Sequence, residues 1–326
     1  MGDIFVVIEH RNEIVSEVNY QMLWKANDLC KKLSHRLTAI VLGGKDVTFL
    51  DDIKNRADRV ILVEGDALEH YDPDIYTSIL RDLIFEESPF ITLIGHTSWG
   101  MDFAPPLSIM TGYPLATDCV DILIDNGVPK VIRQIYGGKL LSKVAFSESE
   151  GYLITVRPGA FSGDMAEERK GEVIKRECPS GLPESRREFI EFIDSDVGEV
   201  DITKADLLVS VGRGIGEAEN VEVIKELAEK LGGTLSCSRP VVDKGWLPKF
   251  HQVGTSGKSV KPRVYLALGI SGAFQHVAGL SGAGTIIAVN KDKKAPIFRV
   301  ADYGVVDDMF KIADALKGVL QESGTG

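Results

Sequence analysis

The feature that most restricts this chain is a recurring alternation. Short unbroken apolar runs are followed by longer stretches whose apolar residues share one helical stripe. Ile4-Phe5-Val6-Val7-Ile8 is the first run, closing on the polar Glu9. Such a run suits a strand buried on both faces, as in a parallel sheet covered by helices. From about Ser16 to Leu33, the residues Val18, Met22, Leu23, Ala26, Leu29, Cys30 and Leu33 line one stripe and predict an amphipathic helix. Residues 37–43 and 59–64 read as strands, 74–87 as a helix and 90–95 as a strand again. This order predicts a mostly parallel sheet with helices on its faces.

The pattern changes after about Thr111. Residues 131–136 and 139–146 flank Gly137-Gly138 and read as a hairpin. Residues 152–157 and 172–176 continue the β character, so the first domain is expected to close with antiparallel strands that cover or extend its sheet. A polar, acidic stretch bearing Gly and Pro then separates a first domain, 1–195, from a second, 204–326, through a linker at 196–203. The second domain opens on a strand at 205–212. A helix follows at 221–231, ended by Gly232-Gly233. Strands at 263–268 and 285–289 and an amphipathic helix at 310–320 complete it, with the last three residues expected to fray. The fold class is therefore α/β in two domains. The N-terminal one is a parallel-sheet domain with added antiparallel strands, and the C-terminal one is doubly wound and Rossmann-like.

Composition removes several function classes. A net charge of −11 disfavours a broad nucleic-acid face, which needs clustered Lys and Arg. The four cysteines form no C-x-x-C pair and have no histidine at ligand spacing, which argues against a zinc site or a disulfide framework. Cys119 and Cys237 sit in or beside apolar stretches and read as small buried hydrophobes. No apolar run reaches the ~18 residues that would span a bilayer. The chain enters a strand at once, without the basic and apolar segments of a signal peptide. The expectation is a soluble, cytoplasmic protein without direct membrane insertion.

Chemistry concentrates in the last third. Gly212-Arg213-Gly214-Ile215-Gly216 lies between an apolar strand and a helix, where glycines admit close backbone approach and a helix start favours an anion. The spacing is not the full dinucleotide fingerprint. A nicotinamide-binding domain also needs an acidic residue about 20 positions on, at the next strand end. That place holds Ser236-Cys237-Ser238-Arg239, with no carboxylate and a positive charge instead. Polar and glycine residues follow several strands. The clusters are Ser238-Arg239-Pro240, the run Gln252 to Lys258, the run Gly269 to His276, and Asn290-Lys291-Asp292. Open α/β sheets bind ligands at the carboxyl ends of their strands, so these clusters converge on one candidate site. Ser256-Gly257-Lys258-Ser259 looks like half of a phosphate loop, but Gln252 stands where its first glycine belongs. His276 admits two readings, core histidine or ligand contact.

The run from Arg263 to Phe310 resembles the electron-transfer flavoprotein α subunits. Tyr265-Leu266-Ala267-Leu268-Gly269-Ile270-Ser271-Gly272-Ala273-Phe274-Gln275-His276 is similar to that family's signature, as are Ile286 to Asp292, Ala295-Pro296-Ile297-Phe298 and Ala301-Asp302-Tyr303-Gly304. Residues 203–320 match closely; the first domain matches in layout, with less specific motifs such as Thr111 to Asp118. The resemblance implies one FAD in the C-terminal domain. It implies a heterodimer with a β subunit that carries AMP or a second FAD. It also implies electron shuttling between dehydrogenases, such as acyl-CoA dehydrogenases, and a membrane quinone oxidoreductase.

By family pattern the FAD contacts are Arg213, Ser238, Arg239, Val253, Gly254, Thr255, Ser256, Ser271, Gly272, Ala273, Phe274, Gln275, His276, Asn290 and Asp308. Asn290 and Asp308 would hold the adenosine half, Arg239 and His276 would bring positive charge to the ring system, and Ser256 would offer its hydroxyl there. Ser256 and Thr255 stand where many members have Thr and Gln. A redox carrier needs no catalytic acid–base pair, because the cofactor carries the chemistry. The alternatives are a flavin- or NAD-dependent dehydrogenase on a related fold, which would need such a pair, and an adenine-nucleotide-binding regulatory subunit.

Overall fold

Strand β1 (Asp3–Ile8) is buried at every position, and its side chains feed two separate cores. Ile4, Val6 and Ile8 point to one face; Phe5 and Val7 point to the other. A strand with no polar face must be covered on both sides, so the continuous apolar run settles its central place. The structure, a computed structural model, describes residues 2–323 apart from residues 12, 46, 137, 165–166, 186, 192–200 and 281. Two units divide the chain, Met1–Glu191 and Phe192–Gly326. The expected linker at 196–203 lies mostly outside the described residues, as do residues 324–326.

In the first unit a short hairpin of β2 (His10–Arg11) and β3 (Ile14–Val15) leads into α1 (Glu17–Leu33). Then follow β4 (Arg36–Gly43), α2 (Leu50–Lys54), β5 (Arg59–Glu64), α3 (Pro73–Glu87), β6 (Ile91–Gly95) and α4 (Ser98–Thr111). The remaining strands are β7 (Leu115–Asp125), β8 (Val128–Ile135), β9 (Leu140–Ala145), β10 (Tyr152–Val156) and β11 (Glu172–Glu177). They form one nine-stranded sheet in the order β11-β5-β4-β1-β6-β10-β7-β8-β9. Met22 and Leu29 of α1 pack with Ile4 and Val6; Ile79 and Leu83 of α3 and Phe103 and Leu107 of α4 pack with Phe5 and Val7.

The expected hairpin is present, since β7, β8 and β9 pair antiparallel. Two strands correct the sequence reading. β10 inserts between β6 and β7 and runs parallel to both, and β11 runs parallel to β5 at the far edge. Tyr152, Leu153, Ile154, Thr155 and Val156 are all buried, so β10 belongs to the two-sided interior, not to a half-exposed cover. Helix α4 has no continuous helical stripe in the sequence, because Gly100, Pro105 and Pro106 interrupt its apolar pattern.

Helix α3 begins where its sequence says it should. Asp72 Oδ1 accepts from Asp74 N at 2.8 Å and Ile75 N at 3.0 Å, and Pro73 needs no helical donor. Asp72→Ala is expected to cost about 1 kcal/mol, read as a lower urea midpoint with an unchanged slope.

The second unit holds β12 (Leu207–Val211), α5 (Asn220–Lys230), β13 (Thr234–Cys237), α6 (Arg239–Asp243) and β14 (Val264–Leu268). α7 (Phe274–Val277), β15 (Thr285–Val289), β16 (Tyr303–Val305) and α8 (Met309–Ser323) follow. Its sheet is wholly parallel in the order β13-β12-β14-β15-β16. One face packs Val209, Val211, Leu266 and Leu268 with residues of α5 and α8. The other face packs Leu208, Tyr265, Ala267 and Ala288 with residues of irregular chain, among them Val253, Val260, Ile270 and Ile297. Strand order reverses between β12 and β14, and that switch point is where open α/β sheets make their ligand crevice.

Candidate functional site

The ends of β12 and β14 approach so closely that only glycine fits between them. A Cβ on Gly212 would lie 2.3 Å from the Gly269 carbonyl oxygen, and one on Gly214 would lie 2.8 Å from Gly269 Cα. Gly212 N donates to Leu268 O at 2.9 Å and Gly214 N to Gly269 O at 3.1 Å. The glycine-rich turn therefore serves chain-to-chain contact at the switch point. A cleft of about 600 Å³ opens beside it, within the range of ligand sites, ~300–1,000 Å³.

The four sequence clusters do converge there. Arg213, Ser238, Arg239, Val253, Gly254, Ser256, Ser271, Ala273, Gln275, His276 and Asn290 all line this cleft. Thr255, Gly272, Phe274 and Asp308 do not form its wall. Gly272 supports it from behind, with φ +77° and a Cβ position 2.3 Å from Ile297 N. Asp308 accepts from Phe310 N at the start of α8 and pairs with Lys291 at 2.8 Å. Those contacts hold its carboxyl below the usual range, Lys291 first. Asp243 joins the wall unforeseen; it lies one turn after Arg239 on α6 and pairs with it at 3.4 Å. The i,i+4 spacing on a helix begun by Ser238 was the available signal.

Several wall residues are fixed by their neighbours. Asn290 Nδ2 donates to Ile270 O at 2.8 Å, while its Oδ1 accepts from Asp292 N, so it ties the ends of β14 and β15. Gln252 Nε2 donates to Ser256 Oγ at 2.9 Å, which leaves the Ser256 proton to be given to the cleft. Val253 N donates to Cys237 O, continuing β13 into the loop.

His276 is buried, with Nδ1 3.1 Å from Val253 O and Nε2 2.9 Å from the Tyr265 hydroxyl. Burial pulls its pKa down to about 4 against the opposing pull of the Val253 carbonyl. Burial thus favours the neutral imidazole at His276, and Arg213 and Arg239 are the arginines on the wall. The linkage has a definite sign. Between pH 6.5 and 4 the unfolded histidine binds a proton that the folded one refuses, so stability is full above 6.5 and falls as pH drops towards 4. The expected loss is at most about 3 kcal/mol. His276→Gln should flatten that part of the urea-midpoint profile, and an unchanged slope would contradict it.

A parallel sheet of this order with a polar crevice at its switch point defines a doubly wound α/β protein with a ligand site at its strand ends. Comparison with known proteins makes the assignment specific. Residues 4–180 match the electron transfer flavoprotein domain, and residues 201–281 match the electron transfer flavoprotein FAD-binding domain. The chain is 38% identical to protein FixB of Clostridium saccharobutylicum, across 96% of this chain and 94% of the relative. It is 36% identical to the electron transfer flavoprotein subunit alpha of Methylophilus methylotrophus, across 98% and 99%. It is 33% identical to the acryloyl-CoA reductase electron transfer subunit beta of Anaerotignum propionicum, across 98% and 96%. The chain belongs to the electron-transfer flavoprotein α subunit family. Its cofactor is FAD and its role is electron transfer. No described helix is long and apolar enough to cross a membrane.

Proposed function

We propose that this chain is the FAD-holding half of a heterodimeric electron carrier, with its flavin in the cleft between β12 and β14. It pairs with a β subunit that carries AMP or a second FAD. The pair takes electrons from primary dehydrogenases, such as those acting on acyl-CoA, and passes them singly to a quinone oxidoreductase. The observation that carries this reading is the convergence of four strand-end clusters on one crevice inside the region that matches the FAD-binding family model.

The residues present suit the group. Arg213 and Arg239 on the wall supply charge for its diphosphate and ring. The bound flavin supplies the redox chemistry, accepting and releasing electrons one at a time. The chain's own work is binding and biasing. Ser271 and Ala273 lie before α7, where the first N–H groups have no helical partner and suit an anion. Ser256 holds a proton towards the cleft, and Arg239 favours any negative charge that gathers beside it. Such a site needs no general acid or base, so no substrate turnover by the chain itself is expected.

Purification of the co-expressed αβ pair tests the reading. It predicts bound FAD, two separable one-electron steps on gradual reduction, and reduction by a dehydrogenase with its substrate. A colourless pair, or direct oxidation of a small substrate by the pair alone, would contradict it. Flavins counted per heterodimer distinguish AMP from a second FAD in the β subunit.

A further inference from the structure

We propose that Tyr265 is a positioning residue for the cleft: its buried hydroxyl donates to Nε2 of a His276 ring that Val253 O holds as the Nδ1-protonated tautomer, and so braces two cleft walls together. The inference rests on the reading that this cleft holds FAD.

The tautomer follows from donor and acceptor chemistry. A backbone carbonyl only accepts, so the 3.1 Å contact with Val253 O requires the proton on Nδ1. A neutral ring then offers a lone pair at Nε2, and the group 2.9 Å away is the Tyr265 hydroxyl, which must donate. Tyr265 is fully buried in the middle strand, where burial raises its pKa and keeps the proton on oxygen.

Two serines lie in the same sheet. Ser210 and Ser236 are register partners on β12 and β13, and Ser210 also faces Ala267, two residues beyond Tyr265. Both hydroxyls are buried and neither has a hydrogen-bond partner among the described residues. The donor direction that the geometry supports runs from Tyr265 through His276 to Val253. A packing requirement alone would be met by Phe at 265 and apolar residues at 210 and 236.

The brace has a mechanical consequence. Val253 precedes Gly254, whose Cβ would lie 2.6 Å from Gln275 O, and Thr255 N donates to Gln275 O at 2.8 Å. The 252–256 loop and the 271–276 segment are thus joined at three neighbouring points, and both segments contribute cleft wall. Moving the proton to Nε2 would set two acceptors, Nδ1 and Val253 O, against each other and open one of those points. Val253 O decides on which nitrogen the proton sits, and Tyr265 engages the other.

The test is nitrogen-15 imidazole NMR on the labelled αβ pair at pH 7, with FAD off-rates measured in parallel. The wild-type spectrum should show His276 with a protonated Nδ1 and a bare Nε2. Tyr265→Phe keeps the aromatic body; it should leave the proton on Nδ1, move the Nε2 resonance to that of a lone pair without a donor, and release FAD faster by about fivefold, the worth of one neutral hydrogen bond. A wild-type ring protonated on Nε2, or a Tyr265→Phe pair with an unmoved Nε2 resonance and an unchanged FAD off-rate, would overturn the proposal. If the variant does not fold, the wild-type Nε2 shift, hydrogen-bonded or free, decides by itself. If His276 resonances stay unmoved when FAD is stripped and restored, the cleft assignment fails and the flavin role with it, while the Nε2 shift still reports the Tyr265 bond.

Discussion

Arg239→Ala is expected to lower the first of the two one-electron midpoint potentials of the bound FAD by roughly 50–100 mV and to narrow the gap between them. A unit charge ~4 Å from the ring, at an effective dielectric of ~20, would contribute roughly 4 kcal/mol. Arg239 does not keep that full value. Its side chain is 67% exposed and Asp243 lies 3.4 Å away, so water and the carboxylate both screen it. A residue of about 1–2 kcal/mol remains, which at ~59 mV per tenfold for one electron gives the stated range. Arg239→Lys should keep much of the effect, because the charge survives although the planar fork does not. Potentiometric titration of the αβ pair measures both steps. Unchanged potentials in an Arg239→Ala pair that still holds FAD would remove the arginine from the account.

Gly272→Ala is expected to empty the cleft. The residue sits at φ +77°, which disfavours any L side chain by about 1–2 kcal/mol. Its Cβ would also lie 2.3 Å from Ile297 N and 2.4 Å from Ile297 Cα, and backbone cannot swing aside as a side chain can. Overpacking of this kind costs about 1–3 kcal/mol, for a combined effect of roughly 2–5 kcal/mol. The strain falls between Ser271 and Ala273, both on the wall, so flavin content should drop along with the thermal midpoint. Gly232→Ala is the matched control. It too has positive φ, at +68°, but nothing lies within 4 Å of its Cβ position, so it should lose only the conformational share. Equal losses in the two variants would show that the Ile297 contact is unimportant.

Much of this was legible in the chain because periodicity and burial obey the same geometry. The run Ile4 to Ile8 and the stripe from Val18 to Leu33 fixed a buried strand and its covering helix, and both occur as read. The strand-end clusters were visible as polar and glycine residues that interrupt apolar runs. What failed was pairing direction. Nothing within Tyr152–Val156 says whether its neighbours run parallel, because that depends on a chain reversal some forty residues wide that the segment does not contain. Side-chain burial was the second gap. His276 beside Gln275 reads as a polar cluster, and only the fold shows the ring buried with both nitrogens engaged by Tyr265 and Val253. Asp243 escaped notice because its place depends on the short helix that carries Arg239 one turn before it.

All of these expectations require the FAD to lie where β12 and β14 part company. A crystal structure of the αβ pair with its flavin measures that directly. The account predicts the dinucleotide across the crevice, bordered by Arg213, Ser238, Ser256 and Ser271, with the Arg239 guanidinium turned towards the ring. Flavin bound elsewhere, with that crevice filled by protein and Arg239 facing away, would contradict it.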